Sequence, residues 1–401
     1  MILRRIVFVL FISLNSYSQI EKSIDSLINS SIKLNAFPGA QLYIKKGDYE
    51  YNKSYGFHTY DSLIKIEDDH LFDLASITKS LAGTLAIMKM KDDYDFNIDK
   101  NLKSYLKDFN KTKQGEASIK DLLTHTSGWI PYISHQQYLV KKSGKLKRRF
   151  IKKSLSKKFS NQLSRSLYIK NNYYKVIKKR IKKSELSNIG SYRYSGLFFC
   201  LIPEITKNLT GENLDTYLND KFYLPMGLST TFNPLNKYNI KKIVPTEIDN
   251  NFRKELIQGT VHDETAAIMG GISANAGLFS NAEDLSVILK MILKKGIHNN
   301  KQMIDSETVK LFTKNHIIND SLNNRGLGFD KVRIISENKV YPNEKLSNKS
   351  FGHTGFTGTM FWVDPEKDLI LVFLTNRVYP NRNKGSFYEV DVRNKLFEII
   401  L

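Results

Sequence analysis

Residues 369–375, Leu-Ile-Leu-Val-Phe-Leu-Thr, are apolar at six consecutive positions. A strand of that composition has no face fit for water and must lie inside a sheet covered on both sides. It follows a second strand pattern, 358–363, across the turn Asp364-Pro365-Glu366-Lys367-Asp368, so the two read as a hairpin. Near the other end of the chain, 39–46 and 49–57 form a similar pair around Lys46-Gly47-Asp48. Between these hairpins the chain reads as mostly helix or loop, at 76–90, 102–108, 119–124, 197–209, 213–222, 282–294 and 306–313. Helical patterns at 20–36 and 388–401 lie outside the strands. The expected fold is therefore α+β, a three-layer α/β/α arrangement. Its antiparallel sheet is built from both termini and flanked by helices, with a mostly helical lobe inserted at roughly 80–330. No internal repeat and no Pro- or Gly-rich linker divides it. A 401-residue chain that is 41% hydrophobic can bury a core of that size.

Residues 1–18 read as a secretory leader: Arg4 and Arg5, an apolar run over 6–14, then the small Ser16 and Ser18. That run of about nine residues is short of the roughly 20 that span a bilayer. Export to the periplasm or beyond is expected, with 19–401 as a mature domain that is soluble after cleavage. The single cysteine, Cys200, sits in the apolar run 197–202 and reads as a buried, inert thiol. Metal binding by cysteine pairs is excluded.

The net charge of +21 resembles a nucleic-acid signal until it is located. Residues 141–183 hold 18 Lys or Arg and no Asp or Glu, which leaves only +3 for the rest of the chain. A solvated lysine-rich face and an anionic membrane or cell-wall surface are the readings kept for this segment. Nucleic acid is not expected for an exported protein.

Ser76-Ile77-Thr78-Lys79 is an S-x-x-K at the expected start of a helix, where three-residue spacing puts both side chains on one face. A serine hydroxyl is a poor nucleophile until a base takes its proton, and a lysine in a desolvated site can be that base. The helix N-terminus adds partial positive charge where an oxyanion would develop. The spacing alone says little, because ordinary solvated helices carry it too. Two further elements follow: Tyr192-Arg193-Tyr194-Ser195-Gly196 before an apolar helix, and Phe351-Gly352-His353-Thr354-Gly355-Phe356-Thr357-Gly358 before a strand.

In these three elements the chain resembles the serine β-lactamase and penicillin-binding-protein superfamily, whose motifs are S-x-x-K, Y-x-N and K-T-G in that order. H-T-G in third place is similar to the class C-like and esterase-like members. The resemblance covers nearly all of the mature chain. It extends to Leu122-Leu123-Thr124-His125-Thr126-Ser127-Gly128, to Leu224-Pro225-Met226-Gly227-Leu228, and to the loop from Gly270-Gly271-Ile272 to Ala276-Gly277-Leu278-Phe279-Ser280. Val261-His262-Asp263 and 375–380 resemble a subgroup that also occurs fused to a β-N-acetylglucosaminidase, which points to cell-wall metabolism by analogy.

The resemblance implies an acyl-enzyme formed on Ser76, with Lys79 and Tyr194 sharing the proton transfers. It implies an oxyanion hole of the Ser76 and Phe356 backbone N–H groups, the latter on an edge strand. His353, Thr354 and Gly355 would bind substrate, and Gly355 and Gly358 would let the backbone approach it. His353 stands where the family has a lysine facing the substrate carboxylate, and an unperturbed histidine there would be partly charged near neutrality. Gly196 departs from the family, which has Asn or Asp, and so lacks a side chain expected to orient Lys79. His125 and His262 read as members of structural loops. No metal site and no cofactor is expected. The substrate would be a small molecule or peptide with a scissile amide or ester: a β-lactam, a D-amino-acid peptide of peptidoglycan, or an ester. The alternative is a non-catalytic or slowly turning-over penicillin-binding-like protein held at an anionic surface.

Overall fold

A computed structural model describes residues 2–316, 324–337, 339–383 and 385–401, without the side chains of 2–17. Six strands form the central antiparallel sheet: β1 (Gly39–Lys46), β2 (Tyr49–Gly56), β3 (Asp330–Lys331), β4 (Phe351–Thr354), β5 (Met360–Asp364) and β6 (Leu369–Thr375). Their order is β3-β4-β5-β6-β1-β2, so the two termini meet where β6 pairs with β1, Leu42 opposite Phe373.

β6 is buried along its whole length, and its side chains divide by parity between two cores, as the strand period requires. Leu369, Leu371 and Phe373 join Ile24, Ile28, Leu396, Phe397 and Ile400 in one core. Those partners come from the helices Ile2–Lys33 and Val392–Ile400. Ile370, Val372 and Leu374 join Leu285, Ile288 and Leu289 of the helix Ala282–Leu293 in the other. Helix, sheet and helix are thus the three layers expected. The helix Ile2–Lys33 runs across position 18, where the leader was expected to end.

Two local features differ from the sequence reading. Phe356 does not lie on an edge strand after His353-Thr354-Gly355: His353 and Thr354 end β4, and Phe356 sits in the turn over 355–359 that leads into β5. β4 is also not the edge of the sheet. β3 pairs with it only at Phe351 and Gly352, so among the described residues the outer side of β4 has no ladder partner from His353 onward. The inserted lobe carries a small sheet of its own, Ile151–Lys152, Leu167–Ile169 and Asn161–Ser164 in that order, followed by the helix Tyr174–Ile181. Strands of two to four residues are too short to leave a periodic signal, so this region read as helix or loop.

Candidate active site

The nucleophile sits at an elbow. Ala75 holds a left-handed backbone (φ 47°), which a residue with a Cβ adopts at a cost of about 1–2 kcal/mol. The Asp73 carboxylate steadies this bend by accepting the Ala75 N–H at 2.9 Å, and its other oxygen accepts the His262 N–H at 2.6 Å. Burial pushes the Asp73 carboxyl up despite those two bonds. After Ser76 the chain enters a π-type turn, Lys79–Thr84, that continues as the helix Leu85–Asp93.

Lys79 is 3% exposed. Its Nζ lies 2.9 Å from Ser76 Oγ and donates to the Asn275 backbone carbonyl at 2.8 Å. The same nitrogen stands 5.4 Å from the centre of the Tyr194 ring and 5.8 Å from that of Phe199. Asn275 answers the question raised by Gly196. A Cβ at position 196 would meet Lys79 Nζ at 4.0 Å and Asn275 Cβ at 4.0 Å, so the space for a carboxamide is open while Asn275 supplies an acceptor. The Asn275 side chain is itself fixed, taking a bond from Ser273 Oγ at 2.6 Å and donating to Asp263 at 3.0 Å.

Tyr194 is delivered by a loop docked onto the segment 125–131. Arg193 N–H donates to the His125 carbonyl, Ser195 N–H to His125 Nδ1, and Gly196 N–H to the Pro131 carbonyl, at 2.8, 3.3 and 3.0 Å. The His125 and Tyr194 rings lie 4.6 Å apart. His125 thus positions the tyrosine loop, in keeping with its reading as a structural residue.

The turn after His353 is stapled to the nucleophile elbow. Thr357 Oγ1 donates to the Asp73 carbonyl at 2.7 Å and Thr359 Oγ1 to the Leu74 carbonyl at 3.1 Å. Arg393 holds the far side, donating to the Thr359 carbonyl at 2.8 Å. Gly355 is required by this packing, because a Cβ there would lie 2.5 Å from the Leu74 carbonyl oxygen. The glycine thus serves close approach to the elbow.

Ser76, Lys79, Tyr194 and Phe356 line one cavity of about 420 Å³, whereas His353, Thr354 and Gly355 are not among its lining residues. Partial charge on His353 is corrected by its surroundings. The ring is 3% exposed, donates from Nδ1 to the Thr354 carbonyl at 2.8 Å, and leaves Nε2 buried without a partner. Burial, then the charges of Arg325 and Lys79, hold its pKa well below the ordinary histidine value, so it is neutral at pH 7. Cys200 also borders the cavity, and burial pushes its thiol up to about 12, which keeps it inert.

Of the opposite rim the sequence reading named His262, as a structural-loop residue, but neither Glu247 nor Arg382. His262 stacks on Phe356 with ring centres 5.6 Å apart and meets Glu247 at 2.8 Å. Arg382 forks onto Glu247 through Nε and Nη2, at 2.9 and 2.6 Å, and reaches Glu264 at 2.9 Å. Hydrogen bonds from His262 and Arg382 hold the Glu247 carboxyl down at about 2 despite burial, the largest single influence, which opposes them.

The profile of the Beta-lactamase family matches residues 24–391. A protein of Escherichia coli (strain K12) provisionally named a D-alanyl-D-alanine carboxypeptidase is 30% identical over 381 residues, 86% of this chain and 81% of that protein. The N-acetylmuramyl-L-alanine amidase of Bacillus subtilis (strain 168) is 30% identical over 399 residues, 91% of this chain and 84% of that one. The crystal structure of a class C β-lactamase from Rhodobacter sphaeroides superposes with a TM-score of 0.64 at 15% identity, over 94% of this chain and 99% of that one. The elbow serine with its adjoining buried lysine therefore stands in a shared fold, and the chain belongs to the β-lactamase family of serine hydrolases.

Proposed function

We propose that this protein is an exported hydrolase that cleaves an amide of a cell-wall peptide ending in D-amino acids, through an acyl-enzyme on Ser76. Ser76 Oγ attacks the carbonyl carbon and its proton passes to Lys79 Nζ, 2.9 Å away. The Tyr194 hydroxyl delivers a proton to the departing nitrogen as the C–N bond breaks and is reprotonated by the proton Lys79 took from Ser76. Water then adds to the acyl carbon, its proton goes to Ser76 Oγ as the Oγ–acyl bond breaks, and the carboxylic acid leaves. The backbone N–H groups of Ser76 and Phe356 are the proposed oxyanion donors, each worth about 10²–10³ in turnover. The observation that carries this reading is the 2.9 Å approach of Lys79 Nζ to Ser76 Oγ on the wall of a cavity that Tyr194 and Phe356 also line.

The substrate class rests on the two relatives, both named for cleavage of an amide bond. The outer side of β4 beyond β3 supports it, since an extended peptide can add there as a strand. Export rests on the leader pattern at 1–18, and such a polymer lies outside the cytoplasm. No helix among the described residues is long and apolar enough to cross a membrane.

The test is hydrolysis of three substrates by the parent and by Ser76→Ala: a peptide ending in D-alanyl-D-alanine, a chromogenic cephalosporin and a p-nitrophenyl ester. Release of D-alanine by the parent and not by the variant is expected. Turnover of the ester or lactam alone would remove the peptide assignment. Absence of any Ser76-dependent turnover would leave the slow penicillin-binding reading instead.

A further inference from the structure

The segment 141–183 carries 18 basic residues and no acidic one, and the fold concentrates that charge outward. Six of its apolar side chains, Ile151, Leu163, Leu167, Ile169, Ile177 and Ile181, are buried in the main core. In the small sheet, Ile151 pairs with Ile169 facing inward, while Lys152 pairs with the half-buried Tyr168 on the other face. The segment is thus an ordered, core-anchored platform and not a loose lysine-rich loop.

With the described residues as partners, Lys178 and Lys182 alone of its 18 basic residues form ion pairs, with Asp108 and Glu204. At its outermost turn the sequence is Lys152-Lys153-Ser154-Leu155-Ser156-Lys157-Lys158, and every one of these residues is exposed. Leu155 is 65% exposed. The turn is closed by Phe159 N–H on the Ser156 carbonyl at 2.9 Å and by the reverse bond at 3.2 Å.

We infer that this platform docks the protein on an anionic lipid bilayer, with the four lysines on the headgroups and Leu155 entering the boundary of the acyl chains. The leucine decides between partners. A soluble polyanion would be met by the ammonium groups alone and gain nothing from an apolar tip, whereas a bilayer takes up both. Stacking on nucleobases has little support, because Tyr173 is buried and Phe150 lies under Arg149 at 4.5 Å.

The experiment measures sedimentation of the full chain with vesicles of equimolar phosphatidylglycerol and phosphatidylcholine, with pure phosphatidylcholine vesicles and soluble polyphosphate as the other arms. Leu155→Ser and a fourfold Lys→Glu variant at 152, 153, 157 and 158 are compared with the parent, each checked for folding by circular dichroism. The parent binds the anionic vesicles at about 50 mM salt and is released at about 500 mM. The fourfold variant loses about 100-fold or more in partitioning, and Leu155→Ser loses about tenfold on vesicles with no change on polyphosphate. Failure to bind anionic vesicles, equal binding to pure phosphatidylcholine, or vesicle binding indifferent to Leu155 would each overturn the inference.

Discussion

The two sides of the site, one behind the cavity wall and one on its rim, hold histidines in opposite electrostatic settings. On the β4 side, burial first and the Arg325 guanidinium second hold both His353 and His125 well below the usual histidine pKa. On the far side, His262 faces the carboxylate of Glu247, which is shared with Arg382. The difference separates chemistry from architecture. The β4 side keeps neutral imidazoles around Lys79 and Tyr194, the proposed proton carriers, while the far side is an ion-paired brace that borders the cavity and stacks on Phe356.

Lys79→Ala is the largest expected break in this contrast, lowering kcat/KM by about 10⁴-fold or more with little loss of stability, because it removes the base and not the brace. Glu247→Gln does the reverse. It leaves Arg382 and His262 without their carboxylate and destabilises the fold by roughly 2–3 kcal/mol in denaturant titration. That is toward the low end for a buried pair, because the Arg382 side chain keeps 26% of its exposure.

Acidification sharpens the contrast further. His58 and His135 are held down at about 4, chiefly by burial, against 6.5 when unfolded. The unfolded chain therefore binds more protons between these values, and stability falls as pH drops from 6.5 toward 4. Each of these two histidines contributes a loss of about 2 kcal/mol at pH 5 relative to pH 7, measurable as a falling denaturation midpoint. The smallest effect concerns His353. Because it stays neutral, KM for an acidic substrate changes less than about twofold from pH 6 to 8, and a steep rise in KM across that range would restore a charged role for it.

Much of the frame was legible because its signals are local. The apolar run of β6 dictated a central strand, and the spacing of Ile20, Ile24, Leu27, Ile28 and Ile32 dictated the buried side of the first helix. Ser76 and Lys79 were legible for the same reason, since three residues on one turn fix their approach. The brace of Glu247, His262 and Arg382 was not, because its contacts join residues 15 and 135 positions apart and no short pattern records them. Asn275 was hidden for a different reason: its contact with Lys79 uses a backbone carbonyl, which any residue could present. The burial of His353 also escaped, because it is surrounded by residues distant in sequence such as Tyr194 and Arg325, and an isolated H-T-G carries no trace of either.

The most direct test of the account is to incubate the protein with a fluorescent penicillin or a fluorophosphonate, quench in acid, and locate the adduct by peptide mass mapping. The account predicts one adduct, on the peptide containing Ser76, absent in Ser76→Ala and slow to form in Lys79→Ala. An adduct on any other residue, or one that persists in Ser76→Ala, would contradict it.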